Sequence, residues 1–296
     1  MPYVTVENKK IYYEEYGVEN KQTIVYFHGG PGESCLTYTH QAKLLSENFH
    51  IISFDQYGVF RSDEIPQNTP FGITDHVKLI EKMRIELNIN SLTPLGHSYG
   101  GMLALLYSFT YPNSVDKIIY DCPMWSVLST SKAIASALLP YYKEHNQTKE
   151  IQMCEEILYY NILPRDAFDK AMELELDDEM CRYCHVIEKS LYEKYIINYI
   201  PQPNLPEKDW YKYIHFTKML FEKEDFYINY LPLLSEINKP SLLMVGEYDM
   251  TCGKEEQKYF CEHSANGTFV VLKNSAHLSW IQMPEKYTST IIEFMK

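Results

Sequence analysis

The chain is poor in glycine, with 12 in 296 residues, so any place where several gather needs a reason. It is also short of positive charge. Lysine and arginine total 27 against 40 aspartates and glutamates, for a formal net charge of -13. A surface of that sign repels a phosphate backbone, which argues against a nucleic-acid partner. No apolar run approaches the roughly 20 residues that a membrane-spanning helix needs, so no membrane partner is expected. The N-terminal stretch MPYVTVENKKIYYEEYG reads as two short strands around a turn at Asn8, not as an apolar leader. The seven cysteines are odd in number and scattered, which argues against a disulfide framework and for a reducing, cytoplasmic setting. Cys181 and Cys184 form a lone C-x-x-C before His185. A zinc site would want a second pair at suitable spacing, so the two are expected to sit on a helix without a ligand role.

What is present is an ordinary globular composition, 45% hydrophobic and 23% charged, with an excess of tyrosine, 26 in all. Short apolar runs at 23–28 (TIVYFH), 50–55 (HIISFD), the stretch leading to Ser98, and 115–123 read as strands. Helical spacing at 74–88 (Val77, Ile80, Met83, Leu87), with Thr74 as N-cap, and GMLALLYSFTYP stopped by Pro112 read as the helices between them. Strands alternating with helices imply an α/β fold with a mostly parallel sheet and helices on both faces. The alternation breaks after Pro123. Residues 125–234 read as largely helical, and the sheet pattern resumes at 241–246 and 268–272 before a last helix at about 284–295. The expected organisation is a discontinuous core, 1–124 and 235–296, with a helical cap of 125–234 inserted in it.

Three of the scarce glycines surround Ser98 in PLGHSYGG. G-x-S-x-G between a strand and a helix is the context of a nucleophile elbow, where Gly96 and Gly100 leave room for a tight turn and Gly101 lets the helix pack close. A serine at its free pKa needs a base. His97 is adjacent but is expected to point away, and His28 is expected to brace the first glycine loop. His277, in LKNSAHLSW between the last strand and last helix, stands where a base belongs. Asp249, just past strand 241–246, completes the order Ser, Asp, His expected of this sheet architecture, with Asp121 as the rival acid. Glu247 is expected to orient the loop. The backbone N–H of Tyr99, and one from HGGPG (28–32), best assigned to Gly30, are the expected oxyanion donors. Nothing in the pattern calls for a metal or another cofactor.

HGGPG, FDQYGVFRSD (54–63), GHSYGG, GEYD and SAHLSW together resemble the α/β-hydrolase proline iminopeptidases, in the branch of the tricorn-interacting aminopeptidase. The resemblance implies an α/β-hydrolase fold with a helical cap, and a serine aminopeptidase with Ser98, Asp249 and His277 as its triad. It implies cap and loop carboxylates that hold the substrate's free amine, for which Glu222 and Glu224 in LFEKEDF are the candidates. The chain departs from the family pattern at Met250, where a glutamate commonly follows the triad acid, and at Val59 and Phe60, where a small, glycine-containing stretch is common.

The leading expectation is therefore release of an N-terminal proline or other residue from a short peptide. A carboxylesterase, amidase or lactonase acting on a small acyl compound with the same triad is the second, which Met250 favours. A non-catalytic scaffold on the same fold is the third. Dehalogenase chemistry is disfavoured, because the elbow carries a serine and not an aspartate.

Overall fold

The structure is a computed structural model that describes residues 2–67, 69–175 and 205–296. The turn at Asn8 is a tight hairpin. Glu7 and Asn8 hold φ of 49° and 64°, the two positive values that a two-residue hairpin turn matching strand twist demands. It joins β1 (Tyr3–Val6) to β2 (Lys9–Tyr16) antiparallel, and β2 pairs antiparallel with β4 (His50–Phe54). All further pairings are parallel. The sheet of eight runs β1-β2-β4-β3-β5-β6-β7-β8, with β3 at Thr23–Phe27, β5 at Thr93–His97, β6 at Ile118–Asp121, β7 at Ser241–Gly246 and β8 at Gly267–Leu272.

Strands β3, β5, β6 and β7 are buried along their whole length, as parallel strands covered on both faces must be. Their side chains divide by parity. Val25, Phe27, Ile52 and Phe54 join Val77, Ile80, Met102 and Leu103, which belong to helices α2 (Ile73–Glu86) and α3 (Tyr99–Thr110). Ile24, Tyr26, Ile51 and Leu95 face the other way, onto Ala42 and Leu45 of α1 (Thr39–Leu45) and Tyr287 and Ile291 of the helix Pro284–Met295. Each fully buried side chain of this size contributes about 1.5–3 kcal/mol relative to exposure.

Between β6 and β7 the described chain carries α4 (Val127–Glu144), α5 (Thr148–Tyr159), α6 (Pro164–Glu175) and the helix Lys212–Phe221. Helices α4, α5 and α6 share their own cluster, with Ile134, Leu138, Met153, Ile157 and Ala171 at its centre. Cys181, Cys184, His185, Pro201 and Pro203, and the helical reading past Glu175, lie outside the described residues.

One helix start differs from expectation. The cap of α2 is Gly72, not Thr74: Asp75 accepts the Gly72 N–H at 3.1 Å, while the Thr74 N–H donates to Asp225 at 3.4 Å. A carboxylate remote in sequence closes that end, which local sequence does not reveal.

Candidate active site

Ser98 is the residue between β5 and α3, with φ 53° and ψ -120°. A non-glycine residue in such a conformation carries about 1–3 kcal/mol of strain and persists only where its surroundings over-determine it. They do so here. Ser98 donates its N–H to the Asp121 carbonyl at 3.1 Å, and its own carbonyl accepts the Met124 N–H at 2.9 Å. A Cβ on Gly96 would lie 2.2 Å from the Gly100 carbonyl oxygen, and one on Gly100 would lie 2.0 Å from that of Phe27. A Cβ on Gly101 would meet Pro123 at 2.4 Å. The glycines are the room that the strand and helix need to meet at this angle.

Asp249 and His277 come from the turns after β7 and β8. The Tyr248 N–H donates to the Ser275 carbonyl at 2.9 Å, tying the two turns together. His277 Nδ1 lies 2.7 Å from Asp249 Oδ1, and the Asp249 side chain is fully buried. Burial pushes that carboxyl up. The His277 ring and the N–H groups of Cys252 and Thr251, at 3.0 and 3.2 Å, outweigh it and hold the group below its ordinary value. A buried carboxylate so placed fixes the histidine tautomer with the proton on Nδ1. The His277 ring also lies 4.5 Å, centroid to centroid, from that of His97, the residue before Ser98.

The rival acid, Asp121, serves a different histidine. His97 Nδ1 lies 3.1 Å from Asp121 Oδ2, and the hydroxyls of Tyr287 and Ser279 donate to the same carboxyl at 3.2 and 3.4 Å. Burial raises this carboxyl to about 8, against the opposing pull of His277. The ion-pair geometry with His97 and this upward shift point in opposite directions. With both side chains shut from water, we read Asp121 as the protonated acid of the pair. His97 thus spends its Nδ1 on Asp121, and this buried pair behind the elbow is a feature that linear reading does not show.

The HGGPG loop lies against the serine. A Cβ on Gly29 would come 3.2 Å from Ser98 Cβ and 2.9 Å from the His97 ring. Gly30 holds φ +107°, and a Cβ there would lie 2.5 Å from the Gly32 nitrogen. His28 braces the loop: its Nδ1 donates to the Gly29 carbonyl at 3.0 Å, and its Nε2 accepts the Gln56 N–H at 3.0 Å. Burial lowers His28 to about 4, consistent with a neutral ring that does both. FDQYGVFRSD is the second brace. Asp55, fully buried, accepts from Ser34 Oγ at 2.5 Å and from Arg61 Nε at 2.6 Å, and the Arg61 guanidinium stacks 3.6 Å over the Tyr12 ring. Phe60, one of the departures from the family pattern, packs its ring against Trp210. Lys212 Nζ donates to the carbonyls of Phe60 and Ser62 at 2.9 and 2.8 Å.

Tyr99, the first residue of α3, is wholly buried and its hydroxyl lies 3.2 Å from His76 Nδ1. Burial lowers His76 to about 3, so it is a neutral partner that locks the tyrosine. His76 was not foreseen. Nor was Glu33, directly after HGGPG, whose carboxylate lies beside Gly29.

Glu222 and Glu224 need correction. Glu224 is 90% exposed and pairs with Arg165 at 3.1 Å. Glu222 lines an open cleft of about 730 Å³ with Gln67, Pro70, His215 and Lys218, which no residue of the Ser98 site lines. The segment turns Glu222 and Glu224 outward, sets Asp225 against the start of α2 and seats Phe226 in the core. Glu247 is likewise a loop residue: it accepts the Asn274 N–H at 3.1 Å and pairs with Lys273 at 2.7 Å. Met250 packs on the cluster shared by α4, α5 and α6. Cys122, Asp249 and His277 bring donor atoms within 4.8 Å of one another, the one such metal-capable group among the described residues. Burial pushes the Cys122 thiol up, and Asp249 and His277 spend their facing atoms on each other, so this set is arranged for hydrogen bonding and not as a ligand shell.

A mostly parallel sheet with a strained serine between strand and helix, and an Asp–His pair on later turns, defines a class of architecture: the chain has the α/β-hydrolase fold. The profile of the alpha/beta hydrolase fold family matches residues 22–146. Within that class its sequence is related to the proline iminopeptidases. It is 25% identical to the proline iminopeptidase of Heyndrickxia coagulans over 92% of this chain and 90% of that one. To the proline iminopeptidase of Saccharolobus solfataricus it is 24% identical, over 96% and 88%. The crystal structure of a proline iminopeptidase-related protein from Thermus thermophilus superposes with a TM-score of 0.72 at 19% identity, over 99% of this chain and 95% of that one. The enol-lactonase of Burkholderia xenovorans superposes at 0.68 and 16% identity, over 99% of each chain. These superpositions speak for the fold alone. No helix among the described residues is long and apolar enough to cross a membrane.

Proposed function

We propose that the chain is a serine hydrolase that releases the N-terminal residue, proline among the favoured ones, from short peptides. What carries this is the 2.7 Å Asp249–His277 pair, its imidazole 4.5 Å from the ring of His97, the residue before a serine held at φ 53°, in a chain similar over nearly all its length to proline iminopeptidases. Ser98 Oγ attacks the carbonyl of the first peptide bond. With Nδ1–H donated to Asp249, His277 Nε2 takes the serine proton and passes it to the leaving amine. The N–H groups of Gly30 and Tyr99 receive the developing oxyanion, and α3 adds its positive end. Water, activated by the same histidine, then cleaves the acyl-enzyme and restores Ser98. The cytoplasm is the proposed location.

Met250 favours a second reading. In place of a carboxylate it puts an apolar side chain on the α4–α6 cluster, which suits a small neutral acyl substrate of an esterase or lactonase. Proline-β-naphthylamide and p-nitrophenyl acetate assayed side by side separate the two. Faster turnover of the amide supports the aminopeptidase, and ester turnover alone supports the second reading. Ser98→Ala is expected to lower kcat by roughly 10⁶-fold on either substrate and to abolish fluorophosphonate labelling. Activity retained by a folded Ser98→Ala protein would rule out both.

A further inference from the structure

Glu33 follows HGGPG directly, and its N–H donates to the Gly29 carbonyl at 3.4 Å, so the loop's own turn sets its position. Its Oε2 is shut from solvent, yet no hydrogen bond reaches it among the described residues. That oxygen and Ser98 Cβ both lie within 3.3 Å of the same point, the place a Cβ on Gly29 would occupy. The carboxylate is therefore a neighbour of the serine. The basic groups nearby are committed elsewhere: Arg61 to Asp55 and Glu14, Lys212 to Asp209. A solvent-excluded carboxylate oxygen is costly without a partner, so one kept near the serine calls for a cation there.

We infer that Glu33 is the charge-selecting residue of the Ser98 site, which takes a cationic group, a primary or secondary α-ammonium, on the acyl side of the substrate. This deepens the proposed function and rests on Ser98 being the reacting serine. It replaces Glu222 and Glu224, whose side chains face outward. Glu33 also sits on the loop that supplies the Gly30 N–H, so the group that reads the charge and the group that receives the oxyanion share one rigid turn. A substrate amine held there is fixed relative to its own carbonyl.

The test is competition against p-nitrophenyl acetate hydrolysis at about pH 6.5, below the α-amino range of roughly 7.7–8.0. The competitors are L-prolinamide and N-acetyl-L-prolinamide, which differ in charge at the amine. The wild-type protein is expected to bind the free amine about tenfold or more tightly than its acetylated form. Glu33→Gln should bring the two within about twofold, and Glu33→Asp, which keeps the charge, should retain most of the preference. The ratio is read within one sample, so it does not depend on how much protein is folded. Equal inhibition by both competitors in the wild type, or an undiminished preference in Glu33→Gln, overturns the inference. Proline-β-naphthylamide decides the parent reading separately. Cleavage of it with a preference indifferent to Glu33 keeps the aminopeptidase and removes Glu33. A Glu33-dependent preference without cleavage does the opposite.

Discussion

Among single residues, the two buried aspartates near the elbow show how surroundings decide chemistry. Asp249 and Asp121 lie at the ends of adjacent strands, each beside a histidine. One is stabilised as a carboxylate by two N–H groups and a ring; the other, with hydroxyl donors at 3.2 and 3.4 Å, is raised to about 8. Replacement by asparagine should separate them. Asp249→Asn is expected to lower kcat by roughly 10³–10⁴-fold, because a neutral amide no longer fixes the His277 tautomer or stabilises its charged form. Asp121→Asn, a neutral group for one largely protonated near neutrality, is expected to keep kcat within about tenfold. Steady-state rates of both variants on the better of the two substrates check this, and equal losses would reverse the assignment of the acid. The strained turn at Ser98 and the Asp249–His277 bond were legible because each residue follows a strand in a fixed chain order. The His97–Asp121 bond was not, since it joins two strands whose register only the folded sheet determines.

Elements meet at the elbow by backbone approach, and there the glycines are needed. A methyl on Gly100 would lie 2.0 Å from a main-chain oxygen of β3, an atom that cannot move without breaking the sheet. Gly100→Ala is therefore expected to cost about 3 kcal/mol or more, which denaturant unfolding measures. A loss under about 1 kcal/mol would show that α3 can shift. This packing was readable from GHSYGG. The acidic segment 222–225 was not, because its charge pattern fits both a site-facing and a solvent-facing turn. Tertiary packing chose: Phe226 goes into the core, Asp225 closes the start of α2, and Glu222 and Glu224 are left outside.

Across the whole molecule, buried acids set the pH response of stability. Burial raises Glu256, in the helix Lys254–His263, to about 8, and the nearby Asp249 charge adds to this against the pull of the Gly253 N–H. The folded chain thus keeps a proton that the unfolded chain releases near 4.5. Between those values the folded state binds more protons, so this contribution is fully present at lower pH and is lost as pH rises. Asp121 acts in the same direction. Glu256→Gln is expected to flatten the decline in urea midpoint between about pH 5 and about pH 8, and to be the more stable protein at the upper end. An unchanged slope would mean that water reaches the carboxyl.

The sequence by itself determined the α/β alternation, the order of serine, acid and histidine, and the place of the tight turns. Those depend on local periodicity, chain order and the steric demands of a few glycines. Only the tertiary structure decided which histidine each aspartate meets and where the cap's acidic side chains point. It also decided that one carboxylate oxygen of Glu33, near the serine, meets no hydrogen-bond partner among the described residues. Those outcomes depend on which distant surfaces exclude water together, and burial, not residue type, decides whether a charge there is spent or kept for a ligand.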